Sequence, residues 1–248
     1  MRIIPISQQA SGAFNNGQII ENKPIGFPQD GGFVRPYSAL FYWARAQGMI
    51  DSTIGLHPHQ GFEIMSFILE GNIRHFDTKM NDWKPLEAGD VQVIRAGKGI
   101  SHAEHIERDG VIFQIWLDPD LSKTLQQEAS YDDYKGSAFQ NTASEGAVIT
   151  HYAGEKGLMH LDTPGVDIRR VKLSGPLTWE GDTSVIRSLY IIGGSGMVDG
   201  KSIEQDDFII VDDGSTLSFT PHPKGLDVFA ITVPAITDYP TYAHRTLR

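Results

Sequence analysis

Apolar residues in this chain fall in short runs divided by glycine, proline and acidic turns. Phe62–Leu69 (FEIMSFIL), Val91–Ile94 (VQVI) and Val111–Leu117 (VIFQIWL) are rich in β-branched and aromatic residues. Each stops at a turn signal: Glu70-Gly71, Arg95-Ala96-Gly97 and Asp118-Pro119. Ser188–Ile192, Phe208–Val211 and Val228–Val233 repeat the theme in the second half. This grammar predicts an all-β protein of many short strands. Gln18–Trp43, which ends in the aromatic run YSALFYW, reads as strand and core. One stretch differs. Asp120–Tyr134 follows a Pro-Asp start with Leu121, Leu125 and Ala129 at helical spacing, and predicts a helix linking two halves.

The halves share a weak repeat. In the first, a strand meets Gly71, and Ala88-Gly89-Asp90 later leads into VQVI. In the second, SLYII meets Gly193-Gly194, a turn holds Gly200, and Asp206-Asp207 leads into FIIV. A chain of 248 residues suits two domains of ordinary size, expected over 1–125 and 126–248.

Composition narrows the chemistry. There are no cysteines, which excludes disulfides and thiolate metal sites and leaves imidazole and carboxylate as the strong side-chain ligands. Lys and Arg number 21 against 31 Asp and Glu, a formal charge of −10. Direct nucleic-acid binding needs cationic contacts and is not expected. No run of 18 apolar residues occurs, and the start has no apolar segment of signal-peptide length. The expectation is a cytoplasmic protein with no membrane contact.

The sharpest signal is His57-Pro58-His59, followed 43 residues later by His102-Ala103-Glu104. Residues two apart on a strand share a face. Each pair therefore aims together, and two such strands in one small barrel would converge four donors. Pro58 suits a strand edge and would point away from the site. With nine histidines, an H-x-H arises by chance in about one such chain in three; the four together, set among Gly71, Gly89-Asp90 and the turn before His102, say more. Neutral imidazole and carboxylate suit Fe(II), Mn, Ni, Cu, Co or Zn, and four protein donors leave positions open for catalysis. The second half has no counterpart of either pair, so only the first is expected to hold metal.

HPHQGFEIMSFILEG followed by AGDVQVIRAGKGISHAE resembles the pirin family of the cupin superfamily. Generic cupins carry H-x-H-x₃₋₄-E and a later G-D-x-x-x-x-P-x-G-x-x-H. Here Arg95 stands in the proline position, two further residues separate Gly97 from His102, and Glu104 follows closely. Pirins share those departures. The resemblance is specific over Gly55–Leu117. It implies two cupin-type jelly-roll barrels, the C-terminal one degenerate, and one divalent metal, Fe(II) first, held by His57, His59, His102 and Glu104. Glu63, the generic cupin glutamate, would not be a ligand.

Neighbouring residues carry secondary expectations. Glu63 lies in phase with His59 and is a candidate pocket base or support for a ligand, against a reading as a solvated or hydrogen-bonded strand residue. His75 and Asp77 share a face on the next strand, where His75 would line the pocket or simply sit on the barrel. Gln114 is the odd polar residue in VIFQIWL, and a buried polar group needs a partner; it is a candidate to hold a ligand. His105 faces away by parity. His151, His160, His222 and His244 have no partner at ligand spacing, and Asp132-Asp133, Asp206-Asp207 and Asp212-Asp213 read as solvated turn charges.

Two functions fit. Some pirins are similar to quercetin 2,3-dioxygenase, which implies a flavonol-like aromatic substrate and Glu104 as the catalytic base. Others resemble redox-sensing regulators, which implies a protein partner and no turnover.

Overall fold

The computed structural model describes residues 1–246 and divides into two compact units. Strand β1 (Arg2–Ile4) belongs to the second unit. The first unit comprises Gln9–Ala138, Asp162–Pro164 and the chain from Tyr239 onward. Its strands are β2 (Ala10–Phe14), β3 (Ile19–Ile25), β4 (Leu40–Gly48), β5 (Ser52–His59), β6 (Glu63–Glu70), β7 (Asn72–Asp77), β8 (Trp83–Glu87), β9 (Val91–Arg95), β10 (Ile100–Ile106), β11 (Val111–Leu117) and β12 (Ser130–Tyr134).

These form two antiparallel sheets, ordered β12-β9-β6-β11-β4-β3-β2 and β5-β10-β7-β8. Ile19, Ala46, Ile68 and Ile112 from the larger sheet share one buried cluster with Ile73, Leu86 and Ile106 from the smaller. The sheets therefore pack face to face over a common core, as alternating apolar positions require. The smaller sheet is the one that matters for chemistry.

The second unit comprises Met1–Gln8, Phe139–Leu161 and Gly165–Asp238. Its strands are β13 (Gln140–Ser144), β14 (Ala147–Ala153), β15 (Asp167–Leu173), β16 (Leu177–Trp179), β17 (Val185–Val198), β18 (Lys201–Glu204), β19 (Phe208–Val211) and β20 (Leu217–Pro234), joined with β1 in one sheet. Register shifts in β17 at Ile191/Gly193 and Gly194/Gly196 bend this sheet, and Leu189, Val211, Phe219 and Val228 fill one core. Gly193-Gly194, the sequence counterpart of the Gly71 turn, marks this bend.

The predicted linker helix is a correction. Helix α1 covers only Leu121–Thr124, capped by the Asp120 side chain accepting from the Ser122 N–H at 3.1 Å. Residues Ser130–Tyr134 instead form β12, an edge strand on β9, with Tyr131 opposite Ile94 and Asp132 opposite Val93. Tertiary pairing overrides a helical period that only Leu121, Leu125 and Ala129 supported. Asp132 and Asp133 are accordingly not turn charges: Asp132 accepts from Arg95 Nη2 at 2.6 Å and Asp133 from Gln92 Nε2 at 2.7 Å. With β12 in the first unit, that unit runs past residue 125 to Ala138. Among the described residues, no helix is long and apolar enough to cross a membrane.

Candidate metal centre

Strand β10 is the spine of the site. Its His102 lies opposite His57 of β5 on one side and Asp77 of β7 on the other, while Glu104 lies opposite His75 of β7. The strand enters through a turn at Gly97, where φ is 50° and a Cβ would stand 2.5 Å from the Gln127 carbonyl oxygen. Only glycine tolerates that position. The β5/β10 register shifts between His102 and Glu104, where β5 carries one extra residue in the exposed Gly55-Leu56 stretch. The bulge re-aims the strand so that His57 and His59 turn toward β10.

The three imidazoles meet. Ring centroids lie 4.9 Å apart for His57–His59, 4.4 Å for His57–His102 and 4.8 Å for His59–His102. Their ligand nitrogens fall within 4.8 Å of one another. A second group of the same tightness consists of His75, His102 and Glu104, so His102 is common to both. Among the described residues, these two groups are where three or more such donors converge.

Polar satisfaction shows what the cluster lacks. His59 Nε2, both ring nitrogens of His102 and Glu104 Oε2 are buried without a hydrogen-bond partner. Such orphans are costly and mark a site for a ligand or ion. The other ends of these side chains are held. His57 Nδ1 donates to the Gly55 carbonyl at 2.8 Å, because a carbonyl can only accept, and this leaves the Nε2 lone pair for a ligand. Glu104 Oε1 accepts from Gln114 Nε2 at 2.6 Å and from Ser66 Oγ at 3.2 Å. Trp116 meets the His59 ring edge to face at 4.9 Å.

Protonation suits the same reading. Burial, then the neighbouring His102 and His57, pushes His59 down to about 3. Burial, then His57 and His75, holds His102 well below the usual histidine range. Burial also lowers His75. These imidazoles are neutral near pH 7, the form that binds a cation. Neutral imidazoles with a carboxylate behind them fit a divalent transition metal.

The expected residues divide as follows. His57, His59 and His102 come together, and Glu104 joins them through His102. Gln114 holds the Glu104 carboxylate. His75 is 1% exposed and lies against His102 at 5.4 Å, within a group of donors instead of on the barrel surface. Glu63 goes elsewhere: its oxygens accept from the Asp162 N–H at 2.7 Å, the Thr163 N–H at 2.8 Å and the Thr163 hydroxyl. Both oxygens are thus engaged in anchoring the Asp162–Thr163 segment. His105 binds Thr53 Oγ1 at 2.9 Å, away from the cluster. Ser66 escaped the sequence reading, although it stands opposite Gln114 in the β6/β11 register as the polar residue of its own apolar run. Beside His59, a depression of about 510 Å³ is lined by Pro58, Gln60, Lys98, Ile100 and Ser101.

The sequence model described as "Pirin" matches residues 33–117, which contain every residue of the two donor groups. The "Putative quercetin 2,3-dioxygenase PA1210" of Pseudomonas aeruginosa is 30% identical over 191 residues, covering 72% of this chain and 79% of that protein. The chain belongs to the pirin family. Its matches span between 37% and 79% of the length of the first two curated relatives. Two solved structures carry the fold across the whole chain. The Escherichia coli bacterial pirin YhhW, in complex with nickel(II), superposes with a TM-score of 0.73 at 19% identity over 95% of this chain and 99% of that one. A quercetin 2,3-dioxygenase from Acinetobacter baumannii gives 0.79 at 18% identity over 94% and 78%. The pirin fold here is thus the two-barrel cupin architecture that the motif implied.

Proposed function

We propose that this pirin holds one divalent transition-metal ion through His57, His59, His102 and Glu104, Fe(II) being the expected ion, and oxidises a flavonol-like aromatic substrate as a cytoplasmic dioxygenase. The observation that carries the reading is the division of labour on Glu104. Gln114 and Ser66 fix Oε1, while Oε2 is buried and unpartnered. A carboxylate held in that way can accept the hydroxyl proton of a substrate at Oε2. The ion would supply Lewis acidity and a template for substrate and oxygen. His57, fixed through Nδ1, and His59, braced by Trp116, would orient that template.

The nickel in the E. coli relative supports a divalent ion here. The test is aerobic turnover of quercetin by chelator-treated protein reloaded separately with Fe, Mn, Ni, Cu and Co. Metal-dependent loss of flavonol absorbance, abolished in His57→Ala, is expected. No loss with any ion would sink the enzymatic reading and leave the regulator, to be tested by pull-down under Fe(II) and Fe(III).

A further inference from the structure

We propose that the protein has a second, deeper seat for a divalent metal ion, formed by His75, His102 and Glu104, and that it favours a hard ion such as Mn(II). The three side chains are at most 1% exposed, and their ligand atoms lie within 4.8 Å of one another. The β7/β10 register sets His75 directly opposite Glu104. Glu104 Oε2 and both nitrogens of His102 are buried without hydrogen-bond partners, so the seat faces atoms that an ion would satisfy.

His75 is prepared for this role. Its Nε2 lies 3.3 Å from Asp77 Oδ2, and Asp77 is itself fixed by the N–H groups of Lys79 at 2.8 Å and Met80 at 2.7 Å. The carboxylate accepts, so His75 carries its proton on Nε2 and keeps the Nδ1 lone pair. An acidic partner behind an imidazole also strengthens it as a donor.

The two seats differ in chemistry. The outer seat sets three imidazoles, His57, His59 and His102, beside Glu104, and two of the three are partly exposed. The deeper group offers two imidazoles and a carboxylate, a set that suits harder ions. A neutral His102 has one lone pair, so the seats exclude each other. Ion identity then decides which seat is filled, whatever reaction the protein performs.

The experiment measures Mn(II) binding to metal-free full-length protein by the electron paramagnetic resonance signal of the free ion. The variants are His57→Ala/His59→Ala and the same pair with His75→Gln. The double variant should keep one Mn(II) site within about tenfold of wild type, and adding His75→Gln should weaken it by a further tenfold or more. Loss of Mn(II) in the double variant as complete as in the triple, with an unaltered circular dichroism spectrum, overturns the proposal. Crystals of wild type soaked in Mn(II) give an answer that needs no variant. The anomalous peak should lie at a bonding distance of about 2.0–2.3 Å from His75 and Glu104; a peak on His57 and His59 with His75 out of reach overturns it. Failure here leaves quercetin turnover by the wild type untouched, so the two readings are tested apart.

Discussion

Gln114 donates its side-chain N–H to Glu104 Oε1 across 2.6 Å, from β11 of one sheet to β10 of the other. That bond decides which carboxylate oxygen is left for chemistry. Replacing Gln114 by Met keeps the volume and removes the donor. The carboxylate should then rotate more freely, and affinity for Ni(II) or Fe(II) should fall about 10–100-fold, the usual cost of losing a group that orients a ligand. Competition against a chelator measures it. An unchanged affinity would show that Ser66 alone suffices.

The lowered histidines set a pH dependence for metal-free protein. His59, pushed down to about 3, and His102, also held low by burial, stay neutral in the fold. In the unfolded chain each titrates near 6.5. Between those values the unfolded state binds protons that the folded state refuses, so stability rises with pH across the window. Metal-free protein should therefore lose stability as pH falls from 7 to 5, by up to about 1.4 kcal/mol per pH unit for each such histidine. Urea unfolding at several pH values reads the slope. His59→Gln should flatten it; a wild-type curve already flat over this range would contradict the burial argument.

Glu63 has become a structural anchor. Glu63→Ala would leave two backbone N–H groups and the Thr163 hydroxyl unpaired in a site where Glu63 is 0% exposed. The loss should be about 2–4 kcal/mol in chemical unfolding, with Glu63→Gln milder because one acceptor survives. Metal stoichiometry should not change in either variant. A drop in bound metal would mean that Glu63 reaches the donors after all.

What the sequence revealed depended on how local the cause was. His57 with His59, and His102 with Glu104, were readable because strand parity is a property of adjacent residues. That Glu104 faces His75 was not, since the β7/β10 register is fixed by packing and not by either strand. The choice for Glu63 between a pocket base and a hydrogen-bonded strand residue was not readable for a similar reason: the segment that bonds it, Asp162–Thr163, arrives about a hundred residues later. The helix over Asp120–Tyr134 failed because β9 offered Ser130–Tyr134 a ladder as the sheet's edge strand, a gain invisible to a helical periodicity count.

Metal removal supplies the last test. Both donor groups lie in the unit that begins at Gln9, so an ion bound there stabilises folded protein over unfolded by mass action. At a hundredfold excess over the dissociation constant, the gain is about 2.7 kcal/mol. For a chain of this size that corresponds to about 5–10 °C in melting temperature. Chelation should lower the midpoint by that amount in calorimetry, and readdition should restore it. In His57→Ala the shift should shrink, since one imidazole is gone while His102 and Glu104 remain. A melting curve indifferent to chelator and to Ni(II), Fe(II) and Mn(II) alike would mean that the buried, unpartnered atoms of His59, His102 and Glu104 await something other than a cation.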